Sequence, residues 1–399
     1  MNYASMFSNF LYADITKEST IFNFFKLVKH YISTHDSHLF CRILNVRKSE
    51  ILSGHPELST ADLSKIFSKP FYKSLVGRPA YNLTKEYLII EQVAFKLFSN
   101  WLEFWCSYLI YEVKDKYSTI SNTGFRQKPK LPYNDEAYTS EVIPDIATED
   151  RLFYTLHHDQ PMKLRDAIYL INLELFVKDA KWYEVLCQTH LSRAETHLVV
   201  STRTIEADFP IIVSTALIQG WDKRKQWLSY NEYFQSKKWR YCLPNDSRLV
   251  LNRSGILKAP LKTKYLSTKD FECDFQNKLQ STNKVCEILR LSVSGTIKQK
   301  MYYLYLSQKH LVEKVFSLGY DFCLTIIDQP FLLNYYSKLS NNAYFSSSYY
   351  TANNVNHITY KGFWNTRVLM EHLRSCDFIE YKNTVNSNNW NVSEKLYAQ

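Results

Sequence analysis

The run Val285-Cys286-Glu287-Ile288-Leu289-Arg290-Leu291-Ser292-Val293 constrains this chain more than any other stretch. It is a strand-type sequence of apolar and β-branched residues that carries a Glu and an Arg three positions apart. An amphipathic segment from Tyr302 to Leu318 follows it and stops at Gly319-Tyr320. An apolar strand from Phe322 to Ile327 comes next, and Asp328-Gln329-Pro330 opens a further helix. Side chains of odd separation on a strand point to opposite faces, so Glu287 and Arg290 share one cleft only where a bulge intervenes.

The length, 399 residues, exceeds a typical single core and predicts two domains. With 30 Tyr and 24 Phe there is enough apolar material for two packed interiors. The longest apolar stretch, Leu88 to Val113, is interrupted by Glu91, Lys96, Asn100 and Glu103, which makes it a buried helix and argues against membrane insertion. Asp14, Lys17 and Glu18 fall where a signal peptide needs an unbroken apolar centre, so the expected compartment is the cytoplasm. Eight cysteines without a C-x-x-C pair are expected to be reduced core residues. His157-His158 lacks a third ligand at a useful spacing, and no metal or cofactor is expected. A net charge of +10 favours an acidic partner, which on charge alone is a nucleic acid, an anionic membrane or an acidic carrier protein.

Along the chain, residues 1–116 predict a helical N-terminal domain. Ser19-Thr20 precedes an apolar-periodic run, Ser59-Thr60-Ala61-Asp62 resembles a capping box, and Asn82 or Thr84 opens a long helix ending near Val113. Residues 117–150, with Pro129, Pro132 and Pro144 among polar residues, form a linker or surface excursion. Residues 151–399 are mixed: a helix from about Pro161 to Asp179, apolar runs at Thr196 to Val200 and Pro210 to Leu217, and strands dominating up to Val293. The expected class is α+β, a mixed central sheet flanked by helices behind a mainly helical N-terminal domain.

The E-x-x-R-L-x-V spelling at Glu287 to Val293, with its helix-strand-helix continuation, resembles the second half of a GNAT-like acyltransferase, and among these the acyl-homoserine-lactone synthases. Two further stretches carry the same resemblance. Phe176 and Trp182 stand six apart, as does an aromatic pair in LuxI-type synthases, and Thr196-His197-Leu198 matches the start of a strand in that family. The departures are specific. Asn172 stands four residues before Phe176, where LuxI-type sequences have an Arg, so the nearest basic candidate is Arg165. Their acidic pair is missing, and Glu195 is the carboxylate close enough to take over part of its role. These departures and the extra N-terminal region make the whole chain resemble the LuxM/AinS type of autoinducer synthase.

The resemblance implies a quorum-sensing acyltransferase. It would move an acyl group from acyl carrier protein, or acyl-CoA, to the amine of S-adenosylmethionine, then close the lactone and release methylthioadenosine. In that scheme Glu287 removes the amine proton. Arg290 orients the substrate carboxylate or holds Glu195. Phe176 and Trp182 wall the sulfonium and adenine. S-adenosylmethionine is then a substrate and not a cofactor. Lys223, Arg224 and Lys225, with Lys237, Lys238, Arg240, Lys258, Lys262 and Lys264, are the candidate docking surface for the acidic carrier, against the alternative of a solvated face. Ser294-Gly295-Thr296 has one Gly where coenzyme A users carry a Gly-rich, pyrophosphate-binding turn, which suits a carrier-protein donor. Two rival functions stay open on the sequence: a GNAT-like acyltransferase acting on another amine, and a non-catalytic nucleic-acid-binding regulator. Against the second, Ala61 to Leu75 has Pro70 where a recognition helix would begin.

Overall fold

The computed structural model describes residues 2–14, 17–118, 130–184, 186, 195–205, 207–221, 227–351 and 358–386. The chain divides into two compact units, one of residues 1–126 and 157–193, the other of residues 127–156 and 194–399. This differs from the expected division at 116 and 150, and packing gives the reason. The helix Leu164–Asn172 and its continuation Leu173–Asp179 lie against Trp101–Asp115, where Tyr117 Oη donates to Asp166 at 2.7 Å and Lys114 pairs with Glu174 at 3.0 Å. Within the expected linker, Tyr138–Ile143 is a paired strand with both ends buried, and Pro132 and Pro144 flank it without interrupting it.

The first unit is helical. Its helices Tyr3–Tyr12, Glu18–Thr34, Leu39–Gly54, Lys85–Phe98 and Trp101–Asp115 bury a cluster of rings that includes Phe24, Phe25, Phe40, Trp101 and Phe104. The long helix expected to reach Val113 is two helices. Ser99 takes a left-handed φ of 62° and closes the first; Asn100 Oδ1 accepts from the Leu102 N–H at 2.7 Å and caps the second. Glu91, an interruption in the sequence pattern, is a fully buried anchor. It takes Arg47 in a two-pronged pair at 2.8 and 2.6 Å, with the Tyr72 hydroxyl and the Gly77 N–H both at 2.9 Å.

The second unit is built on a mixed sheet. Its strands are β1 (Tyr138–Ile143) and β2 (Leu152–Thr155), then, after the first unit's β3 (His158–Lys163), β4 (His197–Thr202), β5 (Ile211–Gly220), β6 (Arg240–Tyr241), β7 (Val285–Val293), β8 (Phe322–Ile327), β9 (Tyr344–Thr351) and β10 (Ile358–Asn365). The order is β1-β4-β5-β7-β8-β10-β9-β6, with β2 added to β5. The pairings of β2 with β5 and β7 with β8 are parallel and the others along this order antiparallel. The parallel crossover from β7 to β8 runs through the helix Ile297–Ser317, opened by a Thr296/Gln299 capping box. Strands do not dominate up to Val293 as expected. Helices Asn245–Arg253 and Thr268–Lys278 intervene, and the second is capped by Ser267, whose hydroxyl accepts from the Asp270 N–H at 3.1 Å. The cysteines also depart in part from expectation: Cys41 and Cys273 are exposed, while Cys106, Cys286, Cys323 and Cys376 are buried. Cys187 lies outside the described residues. Among the described residues no helix is long and apolar enough to cross a membrane.

Two buried polar residues of the first unit should behave oppositely. Glu91→Ala strands a buried guanidinium and should cost about 3–5 kcal/mol in denaturant unfolding. Asn172 is fully buried with neither amide atom hydrogen-bonded among the described residues, so Asn172→Leu should be neutral or stabilising. A clear loss of stability in the Leu variant would mean that the amide has a partner in solution.

Candidate functional site

The chemistry-bearing residues of the second unit depend on an irregularity in β7. Opposite β5, Thr215 pairs with Ser292 and Leu217 with Leu289, so Ala216 alone faces both Arg290 and Leu291. This is a β-bulge, and Arg290 adopts a left-handed φ of 52° to make it. Such a conformation costs a non-glycine residue roughly 1 kcal/mol or more and marks a constrained position. On the other side, β7 pairs with β8 only from Val285↔Phe322 to Ile288↔Thr325. Beyond Ile288 its β8-facing edge has no strand neighbour among the described residues.

The bulge turns Arg290 onto the face that carries Glu287. Residues directly opposite one another share a face, which places Leu289, Leu217 and His197 together and puts Glu287 with them, two residues before Leu289. Arg290 Nη1 donates to both oxygens of Glu195 at 3.2 Å, and Glu195 Oε2 lies 2.9 Å from His197 Nε2. Glu195 is fixed by its backbone, whose carbonyl accepts from the Ile146 N–H at 3.0 Å. Burial holds the His197 imidazole below its ordinary pKa, with Glu195 pulling the other way. The neutral ring therefore donates from Nε2 to Glu195, and its Nδ1 is buried with no hydrogen-bond partner among the described residues.

Glu287 is fully buried in a different setting. Its oxygens accept from the N–H groups of Leu228 and Ser229 at 2.9 and 2.8 Å, in the short turn Leu228–Tyr230. Around it lies an apolar cluster with Trp227, Tyr230, Val285, Leu324 and Phe363. Burial pushes its pKa up to about 7, against the lowering effect of those hydrogen bonds and of the Lys361 charge. A carboxyl poised there takes or releases a proton near neutrality.

The remaining sequence candidates fall as follows. Phe176 and Trp182, both partly exposed, form an edge-to-face pair with centroids 6.4 Å apart, and the Trp182 N–H donates to the Phe176 carbonyl at 2.9 Å. Arg165 is exposed in the first turn of Leu164–Asn172. These three belong to the first unit, whereas Glu195, Glu287 and Arg290 belong to the second. Lys223, Arg224 and Lys225 lie outside the described residues. Lys237, Arg240, Lys258, Lys262 and Lys264 are exposed. Lys238 is partly buried over the Tyr350 ring at 5.7 Å, and Lys262 pairs with Asp270 at 3.2 Å. Among the described residues no group of three or more His, Cys, Asp or Glu is placed to hold a metal ion. Sequence reasoning missed Lys361 and Glu272, a buried ion pair beside Glu287. The available signal was a lysine within the otherwise apolar and aromatic end of Ile358–Asn365.

Comparison with known proteins agrees with the sequence resemblance. The family model for acyl homoserine lactone synthase matches residues 17–390. Acyl-homoserine-lactone synthase OpaM of Vibrio parahaemolyticus is 38% identical over 348 residues, 87% of each chain. The LuxM synthases of Vibrio campbellii and Vibrio atlanticus are 36% and 34% identical, covering 90% of both chains in the first case and 91% of this chain and 92% of the relative in the second. Among solved structures, TofI in a ternary complex with an inhibitor and MTA aligns over 53% of this chain and 89% of its own at 10% identity and a TM-score of 0.28, too low to bear on the fold. On the family match and these relatives, the chain belongs to the acyl-homoserine-lactone synthases, acyltransferases that make quorum-sensing autoinducers.

Proposed function

We propose that the second unit is a GNAT-like catalytic unit that acylates the α-amine of S-adenosylmethionine from acyl carrier protein and then closes the lactone. The observation that carries this reading is the parting of β7 from β8 after Ile288 together with the left-handed bulge at Arg290. A strand edge freed in this way offers backbone N–H groups around Leu291 to Val293 to a thioester oxygen as it gains charge. In the first step Glu287 accepts the amine proton, the nitrogen bonds to the acyl carbon, and the carrier thiolate leaves and is protonated. In the second, a substrate carboxylate oxygen bonds to the γ-carbon as the carbon–sulfur bond of the sulfonium breaks, releasing neutral methylthioadenosine. Arg290 orients the carboxylate for this closure while Glu195 fixes the guanidinium. Phe176, Trp182, Glu195 and Arg165 keep the substrate-binding role that the resemblance implies. This chemistry calls for no cofactor, and the cytoplasm is its proposed compartment.

The donor assignment has support at the helix Ile297–Ser317. Its N-terminal N–H groups are the place for a pyrophosphate, yet Thr296 Oγ1 already accepts from the Gln299 N–H and Gln299 Oε1 from the Thr296 N–H. A carrier-borne pantetheine needs no such cradle. The test is incubation with S-adenosylmethionine and acyl carrier protein charged with short acyl chains, read by mass spectrometry for lactone and methylthioadenosine. Acylation of a different amine without methylthioadenosine would replace this reading.

Three further outcomes are expected. Glu287→Gln should fold and lose lactone formation about 100-fold or more, and the acid limb of kcat/KM near pH 7 should disappear with it. Because the folded-state pKa lies above the ordinary 4.5, Glu287 contributes stability that is complete below pH 4.5 and lost as pH rises through about 7; the Gln variant should lack that loss. Near-normal turnover in the variant would remove Glu287 from the mechanism. Arg290→Lys should lose roughly tenfold or more in rate, since one ammonium does not reproduce a planar fork, and full activity would reduce Arg290 to a structural ion pair. Reversing Lys258, Lys262 and Lys264 should raise the carrier KM and weaken its salt dependence while leaving that of S-adenosylmethionine alone. Unchanged carrier kinetics at low salt would make these lysines a solvated face.

A further inference from the structure

Beyond Glu287 itself, the second unit buries a lysine and a glutamate that the proposed chemistry does not use. Lys361 of β10 is fully buried, on the same sheet face as Glu287 through the pairs Glu287↔Leu324, Leu324↔Phe363 and Ile326↔Lys361. Its three ammonium protons are all placed. One goes to Glu272 Oε1 of the helix Thr268–Lys278, one to the Phe234 carbonyl at 2.6 Å and one to the Ser229 carbonyl at 3.3 Å. The Trp239 ring covers the ammonium at 4.9 Å, and Gln235 Nε2 donates to the other Glu272 oxygen at 3.0 Å. The Leu228–Tyr230 turn is thus gripped from two sides, Glu287 accepting from its N–H groups and Lys361 donating to its Ser229 carbonyl.

We propose that Lys361, locked by Glu272, is a positioning residue for acyl transfer: it holds the turn that orients the Glu287 carboxylate and supplies the positive charge that carboxylate feels. This rests on Glu287 being the proton acceptor. A buried ion pair serving packing alone needs no connection to the turn, and two aliphatic side chains would fill the space at similar or better stability. Here the cation is spent on the backbone segment that caps the reactive carboxylate. The titratable groups that face Glu287 are Lys361 from β10, Glu272 beyond it, Tyr230 from the turn and Cys286 on its own strand. Burial pulls Lys361 below and Glu272 above their ordinary values, and their mutual attraction opposes both shifts. Of the four, Lys361 is the group that favours the ionised form of Glu287.

The test removes the pair together, Lys361→Met with Glu272→Gln, so that no charge is left stranded. The enzyme is assayed with S-adenosylmethionine and short-acyl carrier protein from pH 6 to 9, beside Glu287→Gln. Expected is a cooperative melt, an acid limb moved to higher pH, a rate at pH 7 reduced about tenfold for each unit the limb moves, and recovery at the alkaline end. Lys361→Gln with Glu272→Gln keeps hydrogen-bonding groups at both positions and reads the same limb should the methionine version fail to fold. An equal loss at every pH with the limb unmoved would overturn the proposal, because a purely structural pair predicts that result. Should Glu287→Gln retain the acid limb, the assignment of Glu287 fails instead, which separates the two failures.

Discussion

One added residue in β7 governs what the second unit can do. Without the bulge, Glu287 and Arg290 would point to opposite faces of the sheet, and Arg290 would be directed away from Glu195. With it, the guanidinium crosses to the face of His197 and Leu217 at the point where β7 has lost β8 as a neighbour. The strain of a left-handed arginine is offset locally by the two bonds to Glu195, which is itself pinned by its own backbone and by His197. Backbone geometry, ion pairing and an open strand edge thus coincide within a few residues, the condition under which strained conformations persist.

Charge burial is handled differently in the two units. Arg47 and Glu91 form a closed structural knot in the first unit, with the Tyr72 hydroxyl and the Gly77 N–H completing the carboxylate. In the second unit Lys361 and Glu287 share their bonds with a short turn and Glu272 holds the lysine, so the ionisation of one group depends on the placement of a segment of main chain. Glu287 accepts directly from neutral donors of the turn, in apolar surroundings, and burial outweighs them. That balance leaves the Glu287 carboxyl poised near neutrality.

The elements legible in the sequence were those whose signals are local. The strand at 322–327 carries its own period and the next helix its own proline start, and both stand where the pattern puts them. Glu287, Arg290 and Glu195 were visible as charges beside apolar strands, and even the need for a bulge followed from strand parity. The bulge itself was not visible, because Arg290 has no glycine-like signature and its φ is set by pairing with β5. The division of the chain failed for a related reason: whether 157–193 joins the helices before it or the strands after it depends on contacts such as Tyr117 to Asp166, which no periodicity encodes. Lys361 was hidden because a lone lysine on a strand ordinarily reaches solvent, and only the register with Ile326 turns it inward.

The aromatic pair shows how a spacing is preserved by other means than helix periodicity. Six residues on a regular α-helix put two side chains about 600° apart, nowhere near one face. Here the segment Leu173–Asp179 widens to a π-helix and ends, and Lys181 takes a left-handed φ of 56°. That reversal lays the Trp182 N–H on the Phe176 carbonyl and brings the rings edge to face. The sixfold spacing is therefore a property of a helix terminus, and an insertion between Phe176 and Trp182 would separate the rings although both residues remained. The π-helical segment follows directly on Asn172, whose amide is buried without a hydrogen-bond partner among the described residues.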